Sequence, residues 1–213
     1  IFMDIVSKAI EDYCESFGDN PPGLLLDLDT YTHEHHHAPN MLSGSFQGRV
    51  LAMISRVVRP KTVLEVGTYT GYSALCLAEG LADGGVVHTI DIDERLRQTH
   101  ELFIGQSRYA DRIKVYFGDA KILIPGLGLR PDLVFIDGAK KDYSAIFDMV
   151  LPMMNSGGVI LADNVLWKGK VLDEEMDDRT AAIHEFNRKV SQCELVYKVL
   201  LPVRDGLFWI TKK

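Results

Sequence analysis

From residue 59 onward the sequence alternates between two hydrophobic periods, and this limits the fold more than any other feature. Short apolar runs of strand length fit near 62–66, 86–91, 112–117, 132–136 and 158–162. Helical patterns fit near 71–81, 93–107, 119–124, 142–152 and 179–190. Strands that alternate with helices pair in parallel through right-handed crossovers, and the helices cover both sheet faces. The ending departs from this. Leu195–Leu201 and Leu207–Ile210 are apolar runs joined only by Pro202-Val-Arg-Asp-Gly206. That joint is too short for a parallel crossover, so these two runs predict an antiparallel hairpin. The chain of 213 residues suffices for one sizeable core, and no repeat, linker or low-complexity tract divides it. The expectation is one α/β domain over 1–213, with an N-terminal helical extension over 1–58 and a core over 59–213.

Ahead of the alternation, Ile5, Val6, Ala9, Ile10, Tyr13 and Phe17 recur at helical spacing. They predict an amphipathic helix over 2–17, ended by Gly18 and Pro21-Pro22-Gly23. Residues 24–37 carry mixed signals, including the cluster His33-Glu34-His35-His36-His37. On a helix, His33 and His37 would lie four apart and suit a metal. A solvated surface segment is the favoured reading, because no second ligand set accompanies them. Residues 45–58 predict a helix with Phe46, Val50, Leu51, Ile54 and Val58 on one side, closed by Arg59-Pro60.

The net charge of −7 argues against non-specific binding to nucleic acid or an anionic membrane. Cys14, Cys76 and Cys193 are far apart and odd in number, which gives neither a disulfide framework nor zinc spacing. The apolar flanks of Cys76 predict a buried thiol. No apolar run approaches a membrane span. No signal peptide is visible, although a processed segment before Ile1 is compatible with the sequence. The expected compartment is cytoplasmic.

Val63–Ser73, VLEVGTYTGYS, reads as a strand, a glycine loop and a helix start. Such a turn aims ligand atoms at a helix N-terminus. A phosphate-binding loop needs a Lys after its last Gly, where Tyr72 stands. The dinucleotide spacing G-x-G-x-x-G is also absent, because Gly67 and Gly71 are four apart. Glu65 would repel pyrophosphate and attract a cation. S-adenosylmethionine, with its sulfonium and amino group, fits those constraints; so does an ordinary strand-turn-helix corner with no ligand.

In open α/β sheets, ligands collect at the carboxyl ends of the strands. Acids stand at every one of these ends: Glu65 before Gly67, then Asp91, Asp119, Asp137 and Asp163. Asp91 is placed for a ribose diol, and Gly118-Asp119-Ala120 for an adenine edge. Asp and Asn also cap helices and start turns, so each alone has a plain structural reading. Five in succession point to a ligand. Asp137, Asp163 and Asn164 are hard oxygen donors from adjacent strand ends and suit Mg²⁺ or Ca²⁺. Lys140 follows Asp137 by three residues. An ammonium beside a metal and a sulfonium is disfavoured, which makes Lys140 a candidate base, although without that context a solvated Lys beside Lys141 is the stronger reading.

The segments MLSGSFQG (41–48), VLEVGTYTGYSALCLA (63–78), IDID (90–93), GDA (118–120), FIDGAKKDY (135–143), ADNVLWKGKV (162–171) and LPVRDG (201–206) carry a family resemblance. From about Met41 to the C-terminus the chain resembles the cation-dependent class I O-methyltransferases, the catechol and caffeoyl-CoA group. The resemblance implies Asp137, Asp163 and Asn164 as ligands of a divalent cation. Mg²⁺ is the first expectation, with Ca²⁺ or Mn²⁺ as alternatives. Lys140 is implied as the base, with Asp137 beside it in catalysis. S-adenosylmethionine is implied to lie among Met41, Ser43, Glu65, Gly67, Tyr69, Ser73, Asp91, Ile92, Asp119, Ala120 and Asp137, with Trp167 at the substrate mouth. The implied fold is a doubly wound, Rossmann-like seven-stranded sheet, order 3-2-1-4-5-7-6, strand seven antiparallel, in a homodimer.

Three positions depart from the family pattern. Ala139 stands where plant-type members carry a second acid, Asp142 where Asn is usual, and Gly44 where Pro is usual. The implied reaction is methyl transfer to a phenolic oxygen of a small catechol-like or caffeoyl-type acceptor. The rivals are a metal-independent methyltransferase and a non-catalytic S-adenosylmethionine-binding module.

Overall fold

Val63 and Leu64 are neighbours on one strand, yet they point into different cores. The structure, a computed structural model describing residues 5–213, resolves that alternation into two layers of helices around one sheet. Among the described residues the strands are β1 (Thr62–Val66), β2 (Val86–Asp91), β3 (Ile113–Phe117), β4 (Leu133–Ile136), β5 (Val159–Asp163), β6 (Val196–Leu201) and β7 (Leu207–Lys212). They form one seven-stranded sheet in the order β3-β2-β1-β4-β5-β7-β6. All neighbours are parallel except β7, which is antiparallel to both β5 and β6. The expected fold and the terminal hairpin are both present.

The helices are α1 (Lys8–Ser16), α2 (Gly23–His35), α3 (Gly44–Val58), α4 (Tyr72–Ala78), α5 (Arg97–Phe103), α6 (Ala120–Gly126), α7 (Tyr143–Met153) and α8 (Asp178–Gln192). Val63, Phe135 and Leu161 pack with Leu28, Leu51 and Leu77 on one side of the sheet. Leu64, Val134 and Ile160 pack with Ile146, Phe186 and Val190 on the other. A strand buried on both faces carries no polar alternation, which is why these runs read as continuously apolar. Each such side chain contributes about 1.5–3 kcal/mol on burial. Cys76 lies in the first of these cores, as expected.

The N-terminal region departs from the sequence reading. The start of the helix predicted over 2–17 falls partly outside the described residues, and α1 begins only at Lys8. No residue of α1 is buried: Ile10, Tyr13 and Phe17 stay exposed, so its apolar stripe faces solvent. Helix α2 ends at His35, and His36 is extended. His37 therefore does not share a helical face with His33. No helix among the described residues is long and apolar enough to cross a membrane.

Register places the site. Val66 pairs with Ile90 and with Ile136, and Ile136 pairs with Ala162. The next residue along each strand therefore falls in one row: Gly67, Asp91, Asp137 and Asp163. Strand β7 runs the other way, with Leu207 opposite Asp163, so the turn carrying Arg204 and Asp205 reaches the same row.

Candidate active site

Gly67 opens the loop after β1 with φ +102, a conformation that L side chains rarely adopt. A Cβ there would sit 2.1 Å from the Asp137 carbonyl oxygen, so only Gly lets this loop lie against the end of β4. The Tyr69 N–H donates to Asp91 Oδ2 (2.7 Å), and the Asp93 N–H donates to Asp91 Oδ1 (2.9 Å). Asp91 thus ties the glycine loop to β2, and each of its oxygens keeps a lone pair for a ligand hydroxyl. Met41, Ser43, Gly67, Tyr69, Ser73 and Asp137 line one recess. Of the other predicted cofactor residues, Asp91 joins this loop through the Tyr69 N–H. Asp119 caps α6 by accepting from the Lys121 N–H (2.8 Å). Ala120 packs on the core, and Ile92 is exposed.

Glu65 lies beneath the loop, fully buried. Its Oε2 accepts from the Thr89 hydroxyl (2.5 Å), while among the described residues no donor stands within hydrogen-bond geometry of Oε1. Burial pushes its carboxyl up to about 8, against the Ser73 and Thr89 hydroxyls, which pull it down. An unsatisfied buried carboxyl is costly unless positive charge or a donor reaches it.

The ends of β4 and β5 converge on Lys140. Its Nζ donates to Asp137 Oδ1 (3.0 Å), Asn164 Oδ1 (2.7 Å) and the Tyr143 hydroxyl (2.6 Å). The Tyr143 hydroxyl donates to the Asp163 carbonyl (3.1 Å), so toward Lys140 it can only accept. Asn164 holds φ +55, a strained backbone for a non-Gly residue, and this turns its amide toward Lys140. Asp163 is buried; its Oδ1 accepts from the Asn164 N–H (2.7 Å) and its Oδ2 from Gln47 Nε2 (2.6 Å). Trp167, at φ +48, has its ring centroid 5.8 Å from Lys140 Nζ.

This donor set fits a divalent cation. It is all oxygen, which hard cations prefer, and two of its three members already hold one positive charge, the Lys140 ammonium. Burial and the Asp163 carboxylate both raise Asp137 above the usual carboxylate range, against Lys140 and Arg204. The pair is therefore short of positive charge. Among the described residues no group of three His, Cys, Asp or Glu side chains forms a metal site. The third oxygen of this cluster is the Asn164 amide, which accepts from Lys140.

A model of the O-methyltransferase family matches residues 16–213. The chain belongs to that family. It is 30% identical over 189 residues to mouse catechol O-methyltransferase domain-containing protein 1, covering 86% of this chain and 72% of that protein. It is 27% identical to probable caffeoyl-CoA O-methyltransferase 2 of Dictyostelium discoideum, covering 97% of this chain and 92% of that one. Among solved structures it resembles the SAH-bound methyltransferase PaMTH1 of Podospora anserina, with TM-score 0.88 and 25% identity over 96% of this chain and 94% of that one.

Two departures from the family pattern have a structural counterpart in this O-methyltransferase. Gly44 adopts φ +72, which a proline ring cannot reach, so the first residue of α3 holds a backbone conformation closed to the usual Pro. Asp142 accepts from Lys121 Nζ (2.7 Å), an ion pair that an Asn would weaken. Four residues at the site carried no assigned role in the sequence: Gln47, Tyr143, Arg204 and Asp205. All lie within or beside the family segments, but nothing in their spacing marks them. The histidines of the O-methyltransferase diverge. His33 pairs with Asp29 (2.8 Å), His35 stacks on Tyr31, and His36 Nε2 meets the Thr99 hydroxyl (3.1 Å).

Proposed function

We propose that this O-methyltransferase moves the methyl group of S-adenosylmethionine to one of two vicinal hydroxyls on a small phenolic acceptor. The observation that carries the reading is the convergence of Asp137, Asp163, Asn164 and Lys140 one strand away from the glycine loop. SAH, bound in a structural relative, is what S-adenosylmethionine becomes once its methyl is gone. The catechol and caffeoyl-CoA names of the relatives favour a diol acceptor.

In this reading Gly67, Tyr69 and Asp91 hold the methyl donor, and Met41 and Ser43 line its entrance. Glu65 lies buried near the donor's cationic groups, and their charge would draw its carboxyl back toward the ionised form. Trp167 borders the acceptor. A free phenol ionises near pKa ~10, so only about one molecule in a thousand is a phenolate at neutral pH. Asp137, Asp163 and Asn164 would hold a divalent cation, whose charge would favour the ionised acceptor. Lys140, after giving up one proton of the three-donor ammonium seen here to solvent, takes the hydroxyl proton. The new O–CH₃ bond forms as the C–S bond breaks, and the sulfonium leaves as a neutral thioether. Tyr143 keeps the Lys140 amine in place by presenting only an acceptor to it.

The test pairs chelation with substitution. EDTA should stop methylation of a catechol, and Mg²⁺ should restore it. Asp163→Ala should lower cation-dependent turnover by at least about 10³-fold, since several kcal/mol of charge stabilisation is removed. Its SAH affinity, measured by calorimetry, should stay within about threefold of wild type. Full turnover after exhaustive chelation would overturn the cation and leave a metal-independent methyltransferase.

A further inference from the structure

We propose that Gln47 is a positioning residue that holds the Asp163 carboxylate ready for the cation, with Arg204 setting the orientation of its amide. The inference rests on the cation site proposed above. Gln47 lies in the first turn of α3, 116 residues from Asp163 in sequence, and both side chains are buried. Its Nε2 stands 2.6 Å from Asp163 Oδ2, while the Asn164 N–H holds Oδ1 at 2.7 Å. Each carboxylate oxygen therefore has one neutral donor and keeps a lone pair. Donors of this kind fix a ligating carboxylate without competing for the cation's charge. A Lys or Arg in this position would compete.

An amide can face a carboxylate only with its NH₂ end, and Arg204 selects that end. Arg204 Nη1 donates to the carbonyls of Leu42 (3.3 Å) and Ser43 and lies 3.4 Å from Gln47 Oε1. A guanidinium has donors only, so the carbonyl end of Gln47 turns to it and the NH₂ end to Asp163. Arg204 sits at φ +47 in the β6–β7 turn. Three segments distant in sequence thus fix one carboxylate: the start of α3, the end of β5 and the last turn of the chain.

A packing role and a positioning role predict different outcomes for Gln47→Met, which conserves volume and removes the donor. The probe is Mn²⁺ alone, titrated into the intact protein and read by its paramagnetic resonance signal, with SAH affinity measured beside it. Gln47→Met should weaken Mn²⁺ binding about 10–100-fold. SAH affinity should remain within about threefold. Gln47→Asn, which keeps the amide but withdraws it by one methylene, should weaken Mn²⁺ similarly. Wild-type Mn²⁺ affinity in both variants would overturn the inference, and so would loss of folding in both, since Gln47 would then be a packing residue. If wild type itself binds no Mn²⁺ and Asp163→Ala changes nothing, the cation reading fails before Gln47 is tested.

Discussion

The row of strand ends has two halves, and they are built on different principles. On the β1–β2 side, the loop from Gly67 to Ser73 and the acid Asp91 come from two stretches joined by a single helix. Backbone N–H groups, hydroxyls and a glycine's freedom hold that half together. On the β4–β5–β7 side, Asp137, Lys140, Asp163, Asn164, Gln47 and Arg204 come from four separate segments, and they balance charge. A half made of neutral donors tolerates the loss of one contact, because the remaining contacts still fit the ligand. A half made of buried charge does not, because removing one member leaves another uncompensated.

Substitutions sharpen that contrast. The largest effect is expected from Lys140→Ala, on the charged side. It removes the base and the hydrogen bond that the same group donates to Asp137, and single-turnover methylation should slow by about 10²–10⁴-fold. Mn²⁺ and SAH should still bind. A variant with an unchanged single-turnover rate would remove Lys140 from the chemistry.

Glu65 is the one buried charge problem on the neutral side, and its effect is on stability. In the folded protein its carboxyl titrates at about 8, against an ordinary 4.5. The folded state therefore keeps a proton that the unfolded chain releases. The stability tied to that proton is fully present below pH 4.5 and is lost as pH rises through about 8. The slope over that interval is about 1.4 kcal/mol per pH unit. Urea unfolding of ligand-free protein at pH 5 and pH 8 should show that loss, and Glu65→Gln should lessen it, leaving the part that the raised Asp137 carboxyl contributes. An equal slope in both proteins would mean that Glu65 is ionised in the fold.

The smallest effect is expected from Asp91→Ala. Hydrogen bonds to a charged group are worth about 1.5–3 kcal/mol, so S-adenosylmethionine affinity should fall roughly 10–100-fold. Turnover at saturating donor should change only a few-fold. A collapse of turnover at saturation would show that the neutral half is as intolerant as the charged one.

The halves also differ in how much of them was legible beforehand. The glycine loop and Asp91 stand at the ends of apolar runs, where strand length and the rule of carboxyl-end ligands locate them. Asp137, Asp163 and Asn164 were visible for the same reason. Gln47 was not, because a polar residue in the first turn of a helix gives no sign of which strand end it meets. Tyr143 reads as a helix-start aromatic until its hydroxyl is found between Lys140 and the Asp163 carbonyl. Periodicity misled at the N-terminus. The stripe of Ile10, Tyr13 and Phe17 is real, but α1 touches α3 without burying any of its residues, and the stripe stays exposed. His33 and His37 lost their shared face because α2 stops two residues before His37.

Sequence alone determined the parallel core, the reversed terminal hairpin and the acids at the strand ends. Each follows from local patterns: apolar period, loop length and the residue that ends a strand. Tertiary structure decided which of those acids share one charge centre and what holds them. Parallel register brought Asp137 beside Asp163, and the reversed direction of β7 carried Arg204 back to the same row. Contacts such as Gln47 to Asp163 span 116 residues. Local physics does not encode proximity at that range; it arises only when the sheet has closed and two helical layers have packed against it.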